Sequence, residues 1–188
     1  MQQNADKQGT GSSSRAPLRQ HGVLIQVFDT GILLIGESGI GKSECALDLI
    51  TRGHRLVADD AVDITADSTH LTGTAPLATK DLLEIRGLGV IDVRTAFGDD
   101  AVAISSRVDI CIELRKEPDV EGVGNFIHEH EIGGTNVPKF ILPVTPGRNL
   151  AIIAETAVRL FQNRSRGAAA GDALLAMLPA GRDQYESV

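Results

Sequence analysis

Eight consecutive residues, Gly36-Glu37-Ser38-Gly39-Ile40-Gly41-Lys42-Ser43, satisfy the pattern G-x-x-x-x-G-K-[ST], and no other stretch restricts the fold of this chain so strongly. A loop of that kind cradles phosphate when it leads from a buried strand into the first turn of a helix. Both flanks are present. Ile32-Leu33-Leu34-Ile35 is a short apolar run of the length of a buried strand. Glu44 to Ile50 follows with Ala46, Leu49 and Ile50 on one helical face. The glycines let successive backbone N–H groups curl around an anion, and the helix start adds its partial positive charge. Lys42 is placed to reach the outer phosphates and Ser43 to ligate Mg²⁺.

The remaining pattern predicts an α/β fold, a mixed sheet with flanking helices in a single domain. His21–Phe28 alternates Val23, Ile25 and Val27 as a strand, and Gly53 ends the helix that follows the loop. Leu56-Val57-Ala58 forms a strand ending on Asp59-Asp60, and residues 62–65 and 69–74 form a hairpin. Strands are expected over 107–114 and 137–144, and a helix over 149–163 with Leu150, Ile153, Ala157 and Leu160 as its core stripe. Asp172 caps a short last helix. Residues 1–17 and 181–188 are polar and small and are expected to stay flexible around a domain of 18–180.

Composition restricts the function classes. A net charge of −7 with no basic stripe argues against a nucleic-acid surface. No apolar run approaches the ~20 residues of a membrane span, and the start lacks a basic-then-apolar leader. The two cysteines, Cys45 and Cys111, stand apart in apolar surroundings and read as buried thiols, so a cytoplasmic location is expected. His54, His128 and His130 read as solvated or core histidines.

Phosphoryl chemistry needs carboxylates beside the phosphate loop. Asp59 and Asp60 end a strand just past the loop's helix, where one carboxylate can serve a metal and the other act as general base. A second constellation is Glu84-Ile85-Arg86-Gly87-Leu88-Gly89-Val90-Ile91-Asp92-Val93. Taken by itself it is a glycine-rich turn between strands, with Glu84 and Arg86 pointing the same way if the stretch is extended.

The run from Gly36 to Asp63, GESGIGKSECALDLITRGHRLVADDAVD, resembles the catalytic core of HPr kinase/phosphorylase, and EIRGLGVIDV from Glu84 to Val93 matches that family's signature nearly letter for letter. The resemblance covers about 21–167. It implies a fold like the P-loop core of phosphoenolpyruvate carboxykinase, use of ATP and Mg²⁺, and phosphorylation of a seryl residue on the phosphocarrier HPr of the sugar phosphotransferase system, with reversal by phosphorolysis. The protein-kinase motifs H-R-D and D-F-G are absent from the sequence, in keeping with this. By matching position, His21 resembles an active-site histidine, Lys42 holds phosphates, Ser43 and Glu84 hold the metal, and Asp60 exchanges the seryl proton. Pro143 to Arg148 corresponds to a segment tied to dephosphorylation, which makes Arg148 a catalytic candidate. A homohexamer is implied as well.

The chain departs from the family pattern in three places. Only about twenty residues precede His21, where larger members carry another domain, so the match is to a short, catalytic-domain form. The stretch from Arg115 to Gly122 shows no Arg-Leu-Gly, and Thr145 stands where a lysine is usual. The reading is an ATP- and Mg²⁺-dependent serine kinase acting on HPr or a related carrier. The alternatives are a nucleotide-sensing regulatory module with weak transfer, and a small-molecule kinase on the same scaffold.

Overall fold

The computed structural model describes residues 17–67, 69–116 and 128–166. The expected flexible ends up to residue 16 and from 181, and the short helix at Asp172, lie outside them.

In chain order the strands are β1 (Leu18–His21), β2 (Val23–Val27), β3 (Thr30–Gly36), β4 (Arg55–Ala58), β5 (Ala61–Ala66), β6 (Leu71–Thr74), β7 (Leu82–Ile85), β8 (Gly89–Asp92), β9 (Ser105–Arg107), β10 (Ile110–Arg115), β11 (His128–Ile132) and β12 (Thr135–Pro143). The α-helices are α1 (Lys42–Thr51), α2 (Val93–Phe97) and α3 (Leu150–Arg166). A six-stranded mixed sheet, in the order β11-β12-β10-β3-β2-β4, forms the middle layer. Its centre, β12, β10 and β3, is parallel, while β2 runs antiparallel to both β3 and β4. A four-stranded antiparallel sheet, β1-β5-β6-β9, covers one face, and β7 and β8 form a separate hairpin.

Strand periodicity explains the layering. Ile32 and Leu34 of β3, Ile110, Ile112 and Leu114 of β10, and Val23, Ile25 and Val27 of β2 point to the helices, where they pack with Ala46, Leu49 and Ile50 of α1 and Ala151, Ala154, Ala157 and Val158 of α3. Leu24, Leu33 and Cys111 point the other way and meet Val62, Ile64, Leu71 and Val108 on the antiparallel sheet. Both faces of β3 are buried, so its sequence reads as an unbroken apolar run and not as an alternation.

The mixed α/β sheet agrees with the sequence expectation, and several details correct it. The strand expected over His21–Phe28 is two strands in two different sheets, divided at Gly22 (φ 156°) and closed by Phe28 and Asp29 in left-handed conformations. The expected strand over 107–114 is likewise β9 and β10, interrupted at Val108 and Asp109. On α3, Leu160 is 41% exposed; the inward face is made of Ala151, Ala154, Ala157 and Val158, whose small side chains let the helix lie close to the sheet. The expected stop at Gly53 is present: its φ is 91° and its N–H donates to the Ile50 carbonyl at 2.9 Å. Cys45 and Cys111 are buried, and burial pushes both thiols up to about 12.

Candidate functional site

The phosphate loop leaves the C-terminal end of β3 and enters α1 through Gly39 (φ 73°) and Gly41 (φ 106°). Both positions lie in the left-handed region that glycine adopts without steric cost, and this turns consecutive N–H groups toward one point. Lys42 is 7% exposed, and its Nζ donates to the carbonyls of Gly36 at 2.9 Å and Glu37 at 3.0 Å. The cation is thus held inside the loop by its neutral oxygens, from which an anion can draw it.

The carboxylate pair sits where β4 ends. Asp59 is buried, and its two oxygens divide between two elements. Oδ1 accepts from the Ser43 hydroxyl at 3.1 Å, and Oδ2 accepts from the Glu84 N–H at 2.9 Å. Burial pushes its carboxyl above the usual carboxylate range, and the hydrogen bonds from Glu84 and Ser43 pull the other way. Asp60 occupies the left-handed region (φ 65°), which Asp tolerates better than most residues. The chain crosses there from the mixed sheet into β5. Asp60 turns its side chain to solvent, 78% exposed.

His21 meets Asp60 from the other crossing. Its Nδ1 lies 2.8 Å from the Asp60 carbonyl oxygen and 3.2 Å from Asp60 Oδ1. A carbonyl can only accept, so Nδ1 carries the proton. The adjacent Gly22 N–H donates to the same carbonyl at 3.1 Å. The passages β1 to β2 and β4 to β5 therefore lie side by side, locked together at Asp60.

The hairpin β7–β8 forms the opposite wall. Leu83 and Ile85 anchor it in the core, and Arg94 secures its base by ion pairs to Asp81 (2.9 Å) and Asp99 (2.6 Å). The hairpin displays Glu84, Arg86, Gly87, Leu88 and Gly89 to a cavity of about 580 Å³ that also receives Ser38, Gly39, Lys42, Ser43, Asp59, Asp60 and His21. The structure thus brings together His21, Lys42, Ser43, Asp59, Asp60 and Glu84. The carboxylates of Asp59 and Glu84 and the Ser43 hydroxyl beside a phosphate nest suit Mg²⁺, which usually takes one or two carboxylates together with phosphate oxygens.

Other expected residues lie elsewhere. Glu37 and Ile40 face a second cavity of about 480 Å³ behind the loop, with Glu113, Leu114, Arg115 and Lys116. There Lys116 pairs with Glu37 at 3.3 Å and Arg115 with Glu113 at 2.7 Å. Arg148 closes a turn on the Thr145 carbonyl (3.3 Å) and is not among the residues around the phosphate cavity. Arg86 is a cavity residue to which sequence reasoning gave no role, although its place between Glu84 and Gly87 in the glycine-rich stretch was the available signal.

Comparison with protein-family models matches residues 15–177 to the HPr Serine kinase C-terminal domain. The HPr kinase/phosphorylase of Caldicellulosiruptor bescii is 45% identical over 161 residues, covering 84% of this chain and 52% of that protein. That of Bacillus pumilus is 48% identical over 151 residues, 78% of this chain and 49% of its own length. The structure of the Hpr(Ser) kinase/phosphatase from Coxiella burnetii superposes with a TM-score of 0.75 at 35% identity, covering 87% of this chain and 99% of that one. The chain spans about half the length of the curated relatives it matches.

Proposed function

The chain belongs to the HPr serine kinase C-terminal domain family, and from that premise we propose that it is a serine kinase using ATP and Mg²⁺ on HPr or a related carrier of the phosphotransferase system in the cytoplasm. One observation carries the reading. A phosphate loop, a buried carboxylate bonded to the loop serine, and an exposed carboxylate oriented by a histidine all face one cavity.

In this reading the amides around Gly39 and Gly41 and the Lys42 ammonium hold the phosphates, and Ser43, Glu84 and Asp59 hold Mg²⁺. Bound there, the metal nucleotide supplies the phosphoryl group and spreads its charge over phosphate oxygens. Asp59 fixes the Ser43 hydroxyl and ties β7 to the loop, so both metal-side elements move as one. Asp60 accepts the proton of the attacking seryl hydroxyl, which reaches it from solvent because Asp60 faces outward. The His21 Nδ1–H keeps that carboxylate turned toward the cavity. The phosphoryl–oxygen bond to the serine forms as the bond to the departing ADP breaks.

The test is incubation with labelled ATP and purified HPr, HPr with its acceptor Ser→Ala, or no acceptor. Label on HPr alone is the expected result. Hydrolysis without transfer, or label on neither carrier, would replace the kinase by the regulatory-module reading.

A further inference from the structure

We propose that Arg86 is a second phosphate-binding cation of the site, engaging the terminal phosphoryl group of the nucleotide opposite Lys42. The inference rests on the kinase reading above and assigns a residue to it.

The guanidinium of Arg86 lies directly against the Cα of Gly39. A side chain built on Gly39 would collide with Arg86 Nη2 and stand 3.2 Å from its Cζ. Arg86 thus occupies the outer lip of the nest whose inner side Lys42 closes. Its side chain enters no ion pair or hydrogen bond among the described residues, in contrast to Arg19, Arg52, Arg94 and Arg115, each held by a carboxylate. Gly87 (φ 84°) and Gly89 (φ 94°) flank it in the hairpin turn, where the backbone presents the arginine over the cavity. A planar, five-donor cation without a partner among the described residues, beside a set of convergent amides, suits a phosphoryl group with three equatorial oxygens.

Charge accounting points the same way. The cavity gathers Asp59, Asp60, Glu84 and Glu44 against Lys42 and Arg86. Lys116 and Arg115 are committed to Glu37 and Glu113 at the other cavity, and residues 117–127 contain no Lys or Arg. Arg86 is the cation positioned to balance charge that develops away from Lys42.

The test is calorimetric titration of the full chain with Mg·ATP and Mg·ADP, beside turnover on HPr, for wild type, Arg86→Ala and Arg86→Lys. Arg86 is exposed, so the variants should keep their melting temperature. The expected result is an ATP-over-ADP preference in wild type that falls to about one in Arg86→Ala, with ADP affinity within about threefold. Turnover should fall by ~10²–10³, and Arg86→Lys should lie between, having the charge without the fork. An unchanged ATP-over-ADP ratio overturns the proposal, as does an equal loss of ATP and ADP affinity, which would mark Arg86 as a brace for the loop. A wild type with no preference for ATP overturns it too. Loss of the preference in Arg86→Ala, with no transfer to HPr by wild type, would uphold Arg86 and remove the kinase reading.

Discussion

Neighbouring carboxylates with the same covalent chemistry hold opposite positions at this site. Asp59 is buried and accepts from two elements, whereas Asp60 is exposed and strained into the left-handed region. Replacing Asp60 with Asn should lower turnover by ~10²–10⁴ while ATP affinity persists, since the proposed base is lost and the nest is not. Asp59→Asn should instead raise the Mg²⁺ concentration needed for half-maximal rate, because the site loses a negative charge and the amide offers one accepting oxygen to the two donors Ser43 and Glu84. Steady-state kinetics across a magnesium series separates the two, and equal behaviour of both variants would refute this division. On the proposed function, single residues also bear on the direction of reaction. Phosphorolysis brings two anions together, and this chain has Thr145 where the family resemblance implies a lysine, and no Arg-Leu-Gly after Leu114 where it implies one. Release of pyrophosphate from serine-phosphorylated carrier should be far slower than the forward reaction; similar rates would disprove the bias. Lys42, Ser43 and the Asp59-Asp60 pair were legible as neighbours of one cavity because a phosphate loop and the strand end just past its helix are set by local spacing. Arg86 escaped because its place over Gly39 depends on how a hairpin folds back onto a loop more than forty residues away.

Among the elements, those whose environment is uniform were readable and those that change partners were not. β3 and α1 keep one neighbour set along their length, so their apolar patterns survive in the sequence. The alternation from His21 to Phe28 runs on without a break although the chain changes sheets at Gly22, since each half still has one face toward a core. β11 hid for another reason. Its Glu129 and Glu131 face solvent beside the half-buried His128 and His130, leaving Ile132 as its buried apolar residue, and this is too little pattern for a strand. The start of β3 shows how tightly the sheets meet. A Cβ on Gly31 would run into the Arg107 carbonyl oxygen and lie 2.7 Å from Ser106 Oγ. The Gly31 N–H also donates to Asp109 Oδ2 at 2.9 Å. Gly31→Ala should therefore destabilise by about 3 kcal/mol or more in urea unfolding, as overpacking against backbone does. Gly53→Ala, with open space around its Cα, should lose only about 1 kcal/mol for its positive φ. Equal losses would show that the contact at Gly31 relaxes.

At the scale of the whole molecule, the helical layer is fastened by one acidic residue. Glu155 of α3 receives the Arg52 guanidinium (2.6–2.8 Å) and His54 Nε2 (2.9 Å), both just past α1, and His54 packs edge-on against Phe28 at 4.8 Å. The Arg52 bond, followed by that from His54, holds the Glu155 carboxyl down to about 2 from an ordinary 4.5. The sign follows directly. The depressed acid contributes stability that is complete above about pH 4.5 and is lost as pH falls toward about 2. Glu155→Gln should cost about 1–2 kcal/mol at neutral pH and flatten the melting-temperature profile across that acid window. A parallel profile in the variant would place the acid sensitivity elsewhere.

The coincidence of the two sheet crossings has a spectroscopic consequence. The chain has no tryptophan, so intrinsic tryptophan fluorescence cannot report occupancy of its cavity. The Gly22 amide, donated to the Asp60 carbonyl, exchanges its hydrogen for deuterium only when that corner opens. Its exchange rate, followed by amide NMR, should therefore slow on saturation with carrier and nucleotide. That one proton is a built-in isotopic gauge of whether Asp60 holds its place at the crossing.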